Sequence, residues 1–526
     1  MEYVTKKVQT YQNGKLVTDQ FYLDDDYNVP DSKSDIKRVM LGEGTLVVEE
    51  MKSVENYIRV AGKLHFRVLY VTDEVENRLA SLEGRIPFEE MVYREEQLEE
   101  GVFLSHSSVE LTVTMIHSRK LNIKALAEIS LQGETSREQE LTLDIDSEEA
   151  IYKKKEEQEI LKLAAAKKDT CRIKEVVSIG GTKENMGTIL WSEVTGRKLD
   201  TRLEQDELKL MGELLLFCFY ESPDGKIDWV EQTIPYEGRI ECEGAADHMY
   251  HQIYEELTDI HVELTDIHVE PRMDEDGEMR MIGVEATLEV RVAVYEEEKV
   301  SLLADLYSLR KNCIVETEEV ELSRLLMQNH SKCKVSEELQ LPEVKDNILQ
   351  ICHSSGRIQV ERAEPVEGGI QMEGVLHVSF LYVKADDDVP FDTWQGMIPF
   401  SYLLESRETA EDMIYTVSHA VEQLSVNLLG GDRIEIKAVL AFHSFVKKPV
   451  VLHNMKEVRL EPLNWEEAEK GPGIIGYIVQ EGDELWDLAK RYSTTVEGIK
   501  EVNELESDEI KAGKKILIFK ENMSIL

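Results

Sequence analysis

Cysteine and histidine side chains are the residues of this chain best suited to metal binding or nucleophilic chemistry. Six cysteines stand at positions 171, 218, 242, 313, 333 and 352, with no CxxC pair and no two closer than nineteen residues. This spacing is typical of reduced thiols and not of a zinc site or a disulfide framework. His261 and His268 lie seven residues apart, which on a strand places them on opposite faces. We therefore expect no metal site, no cofactor and no catalytic residue among them.

Sequence motifs of common enzymes are also missing. The chain contains no P-loop, GxSxG, HExxH or GxGxxG pattern. The acidic run Asp274–Glu278 is similar to the start of a calcium loop, but no ligand stands at position twelve of an EF-hand, and a hairpin turn explains the run better. The sequence therefore predicts a protein that is not an enzyme.

The charge balance limits the possible partners. The 526 residues contain 60 Lys plus Arg against 105 Asp plus Glu, a net charge of −45. Such a field repels nucleic-acid phosphates and anionic lipid, so we expect no nucleic acid as a partner. The longest apolar runs, Leu214–Tyr220 and Val375–Val383, fall short of the ~20 residues of a membrane span. The N-terminal MEYVTKKVQTYQNGKL has no apolar signal segment, so we expect a cytoplasmic protein.

Three segments of the chain repeat one strand pattern, in which Gly is followed by Leu two residues later and by Tyr eight residues later. They read AGKLHFRVLY at Ala61–Tyr70, MGELLLFCFY at Met211–Tyr220 and EGVLHVSFLY at Glu373–Tyr382. Each is followed by Ile-Pro-Phe or Ile-Pro-Tyr, at residues 86–88, 234–236 and 398–400. The alternation predicts buried β-strands, and the proline predicts an edge strand beside each.

Further alternating segments complete each repeat. Leu424–Leu428 and Ile434–Ala438 flank Gly430-Gly431-Asp432, a strong hairpin signal. Val109–Val113 and Leu121–Ala125 form a similar pair in the first repeat. The predicted fold class is therefore mainly β, with three repeated antiparallel β domains.

The repeats resemble the SPOCS domain, a sporulation-coat-associated family whose hallmark is this Gly–Leu–Tyr strand followed by Ile-Pro-Phe. The Glu/Lys spacing of residues 147–169 favours a charged helix between the first two repeats. We therefore predict SPOCS-like β domains, a helical linker, a second linker and a small terminal domain, with these bounds: 1–146, 147–169 (helical linker), 170–310, 311–460, 461–475 (linker) and 476–520 (terminal domain).

The terminal segment Tyr477–Phe519 predicts the order strand, helix, helix, strand. Leu485, Leu488, Ala489 and Tyr492 recur at helical spacing, and Asp483 is placed to cap this first helix. Thr494 or Thr495 is placed to cap the second helix. The segment resembles a LysM module, a small βααβ fold that in most relatives grips N-acetylglucosamine polymers such as peptidoglycan.

The LysM resemblance implies a shallow groove between the turn after the first strand and the loop after the second helix. Two departures stand out: Glu484 replaces a small hydroxyl residue, and Ile518-Phe519 replaces Ile-Pro. The loop also carries several carboxylates, which disfavour the acidic peptidoglycan and favour a protein partner. Trp486 suits either the core or a contact. The groove residues that the resemblance implies are Gly482, Asp483, Glu484, Leu485, Trp486, Asn503, Leu505, Glu506, Ser507 and Ile510.

Several SPOCS repeats followed by one LysM module resemble the clostridial spore-coat morphogenetic proteins. The resemblance implies a non-enzymatic adaptor of the mother-cell cytoplasm, at the forespore surface or spore coat. It also implies docking, through the LysM module, on the coat-basement sporulation ATPase (stage-four sporulation protein A), with other coat proteins as further partners. The alternative is a peptidoglycan-binding cell-wall protein.

Overall fold

The chain folds almost entirely into antiparallel β structure, which confirms the predicted fold class. In strand order, the first unit comprises β1–β7, the second β8–β13 and the third β14–β19, and β20, β21 and two helices form the terminal module. The computed structural model describes all residues except 15, 75–77, 95–100, 265–277, 343–347, 386–389, 410–411, 431, 464–471 and 522–526.

Each unit contains a three-stranded meander with the hallmark strand at its centre. The Ile-Pro strands β5, β11 and β17 lie at the edge, as predicted, although the proline falls in the middle of the strand and not at its start. The meander strands are β3 Ile36–Val54, β4 Tyr57–Thr72, β5 Leu79–Tyr93, β9 Thr188–Glu204, β10 Glu207–Glu221, β11 Ile227–Glu241, β15 Ile348–Val366, β16 Gly369–Lys384 and β17 Phe391–Glu405.

The hallmark glycine is explained by the neighbouring strand. A Cβ on Gly62 would stand 2.2 Å from the carbonyl oxygen of Val47, and a Cβ on Gly374 would stand 2.2 Å from that of Gln359. In both units a β-bulge in the partner strand brings the backbone this close. In the second unit a Cβ on Gly212 would instead meet a tyrosine ring. A side chain at Gly62 or Gly374 is therefore excluded by the neighbouring backbone, whereas one at Gly212 would have to displace the ring of Tyr236.

In the first two units the hallmark tyrosine ties the meander to the turn that precedes it. Tyr70 is fully buried and donates a hydrogen bond of 3.2 Å to the carbonyl of Ser34. Tyr220, also buried, donates one of 2.8 Å to the carbonyl of Glu184. The phenol gives each core a large apolar ring with a satisfied polar end, which suits a residue buried close to the chain entry.

A second sheet packs on each meander. In the first unit β7 pairs with β1, β2 and β6; in the second the order is β12-β13-β8, and in the third β14-β19-β18. The hairpins predicted in the first and third units are present as β6–β7 and β18–β19. The bounds are β1 Glu2–Asn13, β2 Val17–Asn28, β6 Val102–His117, β7 Lys120–Asp146, β8 Tyr152–Ser178, β12 Tyr250–Leu264, β13 Met281–Tyr307, β14 Lys311–Gln340, β18 Ile414–Gly430 and β19 Arg433–Pro462.

The predicted helical linker is wrong. Most of residues 147–169 belong to β8, which pairs along its whole length with β13. Ile160, Leu161 and Leu163 are buried there, while most of the lysines and glutamates lie on the exposed side. Helical charge spacing stabilises a helix by only a few tenths of a kcal/mol per pair, so the long ladder and this burial outweigh it. The remaining predicted domain bounds stay predictions.

Long strands join the three units into one body. The outer halves of β7, β8, β13, β14 and β19 run beyond the sandwiches and form two-stranded ribbons, β7 with β1, β8 with β13 and β14 with β19. The ribbons share hydrophobic clusters, to one of which each ribbon contributes two buried side chains: Val8 and Leu141, Ile160 and Val300, Val320 and Leu322. The three meanders share another, built from Met40, Leu69, Val71, Leu79, Leu190, Trp191, Phe217, Phe219, Cys352, Leu381 and Phe391.

The terminal module has the predicted strand–helix–helix–strand order. Its elements are β20 Ile474–Ile478, α1 Leu485–Arg491, α2 Val496–Asn503 and β21 Lys515–Phe519, with β20 antiparallel to β21. Among the described residues no helix has the length and apolarity to cross a membrane.

Candidate functional site

The first helix of the terminal module begins differently from the prediction. Its N-cap is Glu484, whose side chain makes no capping hydrogen bond. The predicted cap Asp483 instead accepts a hydrogen bond of 2.7 Å from the backbone N–H of Gln480. Gly482, at φ +88°, turns the chain so that this carboxylate faces back into the turn and away from the helix. Asp483 therefore stabilises the turn at the mouth of the groove.

The second helix is capped by Thr495, one of the two predicted candidates. Its Oγ1 accepts a hydrogen bond of 2.9 Å from the N–H of Gly498. The helix ends at Glu504, in the left-handed conformation at φ 50°. Between these ends Ile499 is buried in the module's core, together with Leu485 and Leu488 of α1. Leu485, a predicted groove residue, is therefore a core residue.

On the far wall of the groove, Asn503 is committed to the module's own backbone. Its Nδ2 donates to the carbonyls of Ile499 at 2.8 Å and Leu517 at 2.7 Å. Its Oδ1 accepts a hydrogen bond of 2.7 Å from the N–H of Leu517. The amide thus ties α2 to β21 with both of its polar atoms in use. Asn503 is a positioning residue for the groove and not a free ligand group.

The rest of that wall divides into packed and exposed positions. Leu505 and Ile510 are half-buried against the module's core. Glu506 and Ser507 are exposed, as are their neighbours Glu504, Asp508 and Glu509. Lys500 pairs with Asp508 at 2.6 Å, an exposed contact of small energetic value. The rim of the groove is therefore negatively charged.

On the near wall, two predicted groove residues contact the second unit. Trp486 donates a hydrogen bond of 2.8 Å from Nε1 to Oδ2 of Asp305 at the end of β13. Glu484 forms an ion pair of 2.7 Å with Lys154 at the start of β8. Lys490, one turn further along α1, pairs with Asp305 at 2.6 Å. The module therefore docks on the end of the second unit's ribbon.

Tyr307 is the centre of this docking contact. It is 5% exposed, and its hydroxyl donates to the carbonyl of Thr494 at 2.9 Å. Its ring meets Trp486 edge-on at 4.9 Å and stacks on Tyr152 at 5.1 Å. Tyr307 belongs to the same hydrophobic cluster as the core of the module. The sequence analysis missed this contact, because nothing local marks a strand end as a docking surface.

The electrostatics of the contact favour the docked state. Burial alone would raise the pKa of Asp305, but hydrogen bonds from Lys490 and Trp486 outweigh it and lower that pKa. Burial raises the pKa of Tyr307, so its hydroxyl stays protonated and able to donate. Lys154 has a raised pKa through its hydrogen bond with Glu484. At neutral pH Asp305 is therefore ionised, Tyr307 is protonated and Lys154 is charged, as their hydrogen bonds require.

The outer face of the module's sheet is mostly apolar, with Lys515 as its charged side chain on β21. Ile474, Ile478, Leu517 and Phe519 are 60%, 56%, 47% and 40% exposed. They lie on one side of the two strands, since the alternate residues Ile516 and Ile518 are buried against the helices. Phe519 is one of the two departures from the usual LysM sequence, and it enlarges this face.

Nothing among the described residues indicates a metal centre. No group of three or more His, Cys, Asp or Glu side chains in the described part of the chain is arranged to hold a metal ion. Buried thiols such as Cys218 and Cys352 have pKa values raised by burial to about 12, so they are not reactive thiolates.

Comparison with known families assigns both parts of the chain. The SipL SPOCS-domain family matches residues 35–119, 185–265 and 347–429, which contain the three meanders. The LysM domain family matches residues 477–519. Neither the curated proteins nor the solved structures give a match. SPOCS and LysM are non-catalytic domain families. The chain is therefore a SipL-like protein, with three SPOCS domains followed by one LysM domain.

Proposed function

We propose that this protein is a non-enzymatic adaptor of spore-coat assembly whose LysM module docks on a protein partner. The partner implied by the family resemblance is the coat-basement sporulation ATPase at the forespore surface, in the mother-cell cytoplasm. The observation that carries the proposal is the apolar outer face of the module's sheet, formed by Ile474, Ile478, Leu517 and Phe519.

The chemistry of this face suits a protein more than a sugar. Four large apolar side chains on one small sheet form the kind of exposed patch that marks a protein–protein contact. Aromatic and aliphatic anchors such as Phe519 supply most of the energy of such contacts. Lys515 is the one charged side chain of β21 on this face, so the face offers few of the directed polar groups that bind the hydroxyls of a polysaccharide.

The groove that would hold a glycan is already in use. Glu484 is paired with Lys154, Trp486 bonds to Asp305, and Asn503 is bonded to the module's own backbone. The exposed remainder is acidic, and peptidoglycan carries carboxylates of its own. These contacts support the choice of a protein partner over peptidoglycan.

The rigid body of three SPOCS domains gives the adaptor its second role. Three related meanders on one scaffold present several surfaces at fixed separations, so that weak contacts with other coat proteins reinforce one another. Each contact then gains from the effective concentration that the shared scaffold provides.

The test compares two surfaces of the full chain against two ligands. Leu517→Glu with Phe519→Glu charges the outer face, and Val451→Glu, an exposed position of β19 (54%), is the matched control. Binding to the purified ATPase is measured by calorimetry, and binding to purified peptidoglycan by cosedimentation. We expect the double variant to bind the ATPase at least tenfold more weakly, with the control unchanged and no wild-type retention on peptidoglycan.

The alternative, a peptidoglycan-binding protein, is favoured by the exposed groove residues Glu506 and Ser507, which keep the position of a LysM glycan site. Wild-type protein that sediments with peptidoglycan and does not bind the ATPase would establish that alternative and overturn the proposal.

A further inference from the structure

Five histidines lie where the third unit meets the other two. His330 of β14 and His443 of β19 are direct neighbours in the sheet, with ring centroids 4.1 Å apart. They face His251 of β12, in the second unit, which is 9% exposed. At a second point His419 of β18 lies against His106 of β6, in the first unit, with ring centroids 6.3 Å apart.

The first of these groups borders a cavity between the second and third units. The cavity has a volume of about 280 Å³ and is lined by His330, His419 and His443 from the third unit, with β9 of the second unit opposite. Direct contacts bridge the two units beside it: the N–H of His251 donates to Gln328 at 3.1 Å. The imidazoles are therefore part of the contact between units.

Carboxylates and cations face these imidazoles in equal number. His251 is bonded through Nε2 to the hydroxyl of Thr201, at 2.7 Å, and not to a carboxylate. Glu422 is already paired with Lys332 at 2.6 Å. The charged groups that face the histidines are Lys198 and Asp200 of β9, Lys332 of β14 and Glu422 of β18 at the cavity, and Glu128 of β7 and Arg357 of β15 near His106.

These surroundings keep the imidazoles neutral. Burial, followed by repulsion from neighbouring imidazoles, lowers the pKa of His251, His419 and His443 to about 4. Burial also lowers the pKa values of His330 and His106. His251 is buried and His419 and His443 are half-buried, whereas His106 and His330 are exposed. Protonation is therefore most costly at the first three, where it would place positive charges close together at the contact.

A sixth histidine, at another contact between the second and third units, has a pKa that is raised and not lowered. His353 of β15 lies 2.7 Å from Glu231 and 3.4 Å from Glu193, and stacks on Phe217. Burial opposes its charge, but the two glutamates outweigh burial and raise its pKa to about 9. Nearby Glu43 of the first unit, which also pairs with Arg67, has a pKa raised to about 7 by burial and by Glu193.

We propose that the third SPOCS unit is held by an acid-sensitive joint: protonation of His251, His419 and His443 loosens its contact with the other units, while the His353 junction stays closed. The faces that line the cavity then become exposed, while the hydrophobic clusters that the three units share keep the third unit attached. The device goes beyond the adaptor function, because it concerns the scaffold and not the LysM partner.

Proton linkage gives the direction in which pH changes the stability of the joint. A histidine whose pKa is lower in the closed joint than in the open one contributes stability that is complete above about pH 6.5 and is lost as the pH falls towards 4. With values of about 4 closed and about 6.5 open, each such group shifts the equilibrium towards opening by roughly 30-fold at pH 5. His353 has a raised pKa, so its contribution is complete below pH 6.5 and is lost only above about pH 9.

Hydrogen–deuterium exchange of the full chain at pH 7.5 and pH 5.0, corrected for intrinsic rates, tests the joint. We expect at least a tenfold loss of protection at pH 5.0 in peptides around His251, His419 and His443, and unchanged protection around His353. His419→Gln with His443→Gln removes two of these three titrating groups and should reduce the loss of protection by up to roughly 30-fold for each group removed. His248→Gln, at an exposed loop position, is the control and should leave the acid response unchanged.

Equal protection of the wild-type joint at the two pH values would overturn the proposal, as would an unchanged acid response in the double variant. Circular dichroism checks that the double variant folds. If it does not, the imidazoles of the wild-type chain are titrated by carbon-13 NMR. At least three pKa values below 5 would support the joint, and values above 6 for all of these histidines would rule it out.

Discussion

The body of three SPOCS units and the LysM module are held in place by different kinds of contact. The units share at least three hydrophobic clusters to which each contributes, and their longest strands run from one sandwich into the common ribbons. The module has its own small core and touches the body through Tyr307, Tyr152 and a few polar pairs. The body is therefore built as one cooperative structure and the module as a docked part.

The free energy of the contacts between the units differs from that of the contact between the module and the body. Burial of apolar surface contributes free energy in proportion to area, so the shared clusters make separation of the units costly. An exposed ion pair contributes only about 0–1 kcal/mol, so Lys154 and Glu484 orient the module without fixing it. The docking therefore depends on Tyr307 and the groups bonded to it.

Replacing Tyr307 with alanine should weaken the docking of the module on the body more than the other substitutions do. The change removes a buried ring and the hydrogen bond to Thr494. Truncation of a large buried aromatic side chain to alanine costs about 3–5 kcal/mol of stability. We expect the module to detach while the body stays folded, seen as faster hydrogen exchange in α1 and normal circular dichroism.

Tyr307→Phe is the matched control, because it keeps the ring and removes only the hydroxyl. It should cost about 1 kcal/mol and leave the module docked. Global unfolding of the alanine variant, with exchange rising equally in the body and in α1, would show that the two regions are not separable.

Within the body, Gly374→Ala should lower the free energy of unfolding by about 2–3 kcal/mol, because the new Cβ would collide with the carbonyl of Gln359 and force the strands apart. Gly196→Ala is the control, since a Cβ there meets nothing within 4 Å. Urea unfolding followed by circular dichroism measures both. Similar losses for the two variants would contradict the steric account of the hallmark glycine.

The parts of the structure that local sequence determines were predictable. The hallmark strands, the Ile-Pro edge strands and the βααβ order follow from residue periodicity and turn chemistry, which act over a few residues. The strand at β8 was not predictable in this way, because Lys/Glu spacing in residues 147–169 also suits a helix. Its partner β13 begins more than a hundred residues later, and only that pairing decides the outcome.

The candidate site also has a part that local sequence predicts and a part that it does not. The family pattern located the turn at Gly482 and the loop after α2, but the residues that position the groove depend on distant contacts. Trp486 meets Asp305, 181 residues earlier in the chain, and Glu484 meets Lys154, 330 residues earlier. Asp483 was assigned to the wrong N–H because the turn at Gly482 redirects its carboxylate, a detail of backbone conformation that residue type alone does not determine.

The smallest effect should come from Lys154→Gln, which breaks the ion pair with Glu484 and leaves Tyr307 in place. Both side chains are partly exposed, 28% and 57%, so solvent and salt screen the pair and the loss of docking energy should be at most about 1 kcal/mol. Lys209→Gln, which breaks a comparably exposed pair with Glu237 within the body (23% and 50%), is the control. Exchange in α1, measured at low and at high salt, should rise slightly for Lys154→Gln at low salt only. If this variant instead released the module as completely as Tyr307→Ala, the charged pair would be the main attachment, and the division between a cooperative body and a tyrosine-docked module would have to be redrawn.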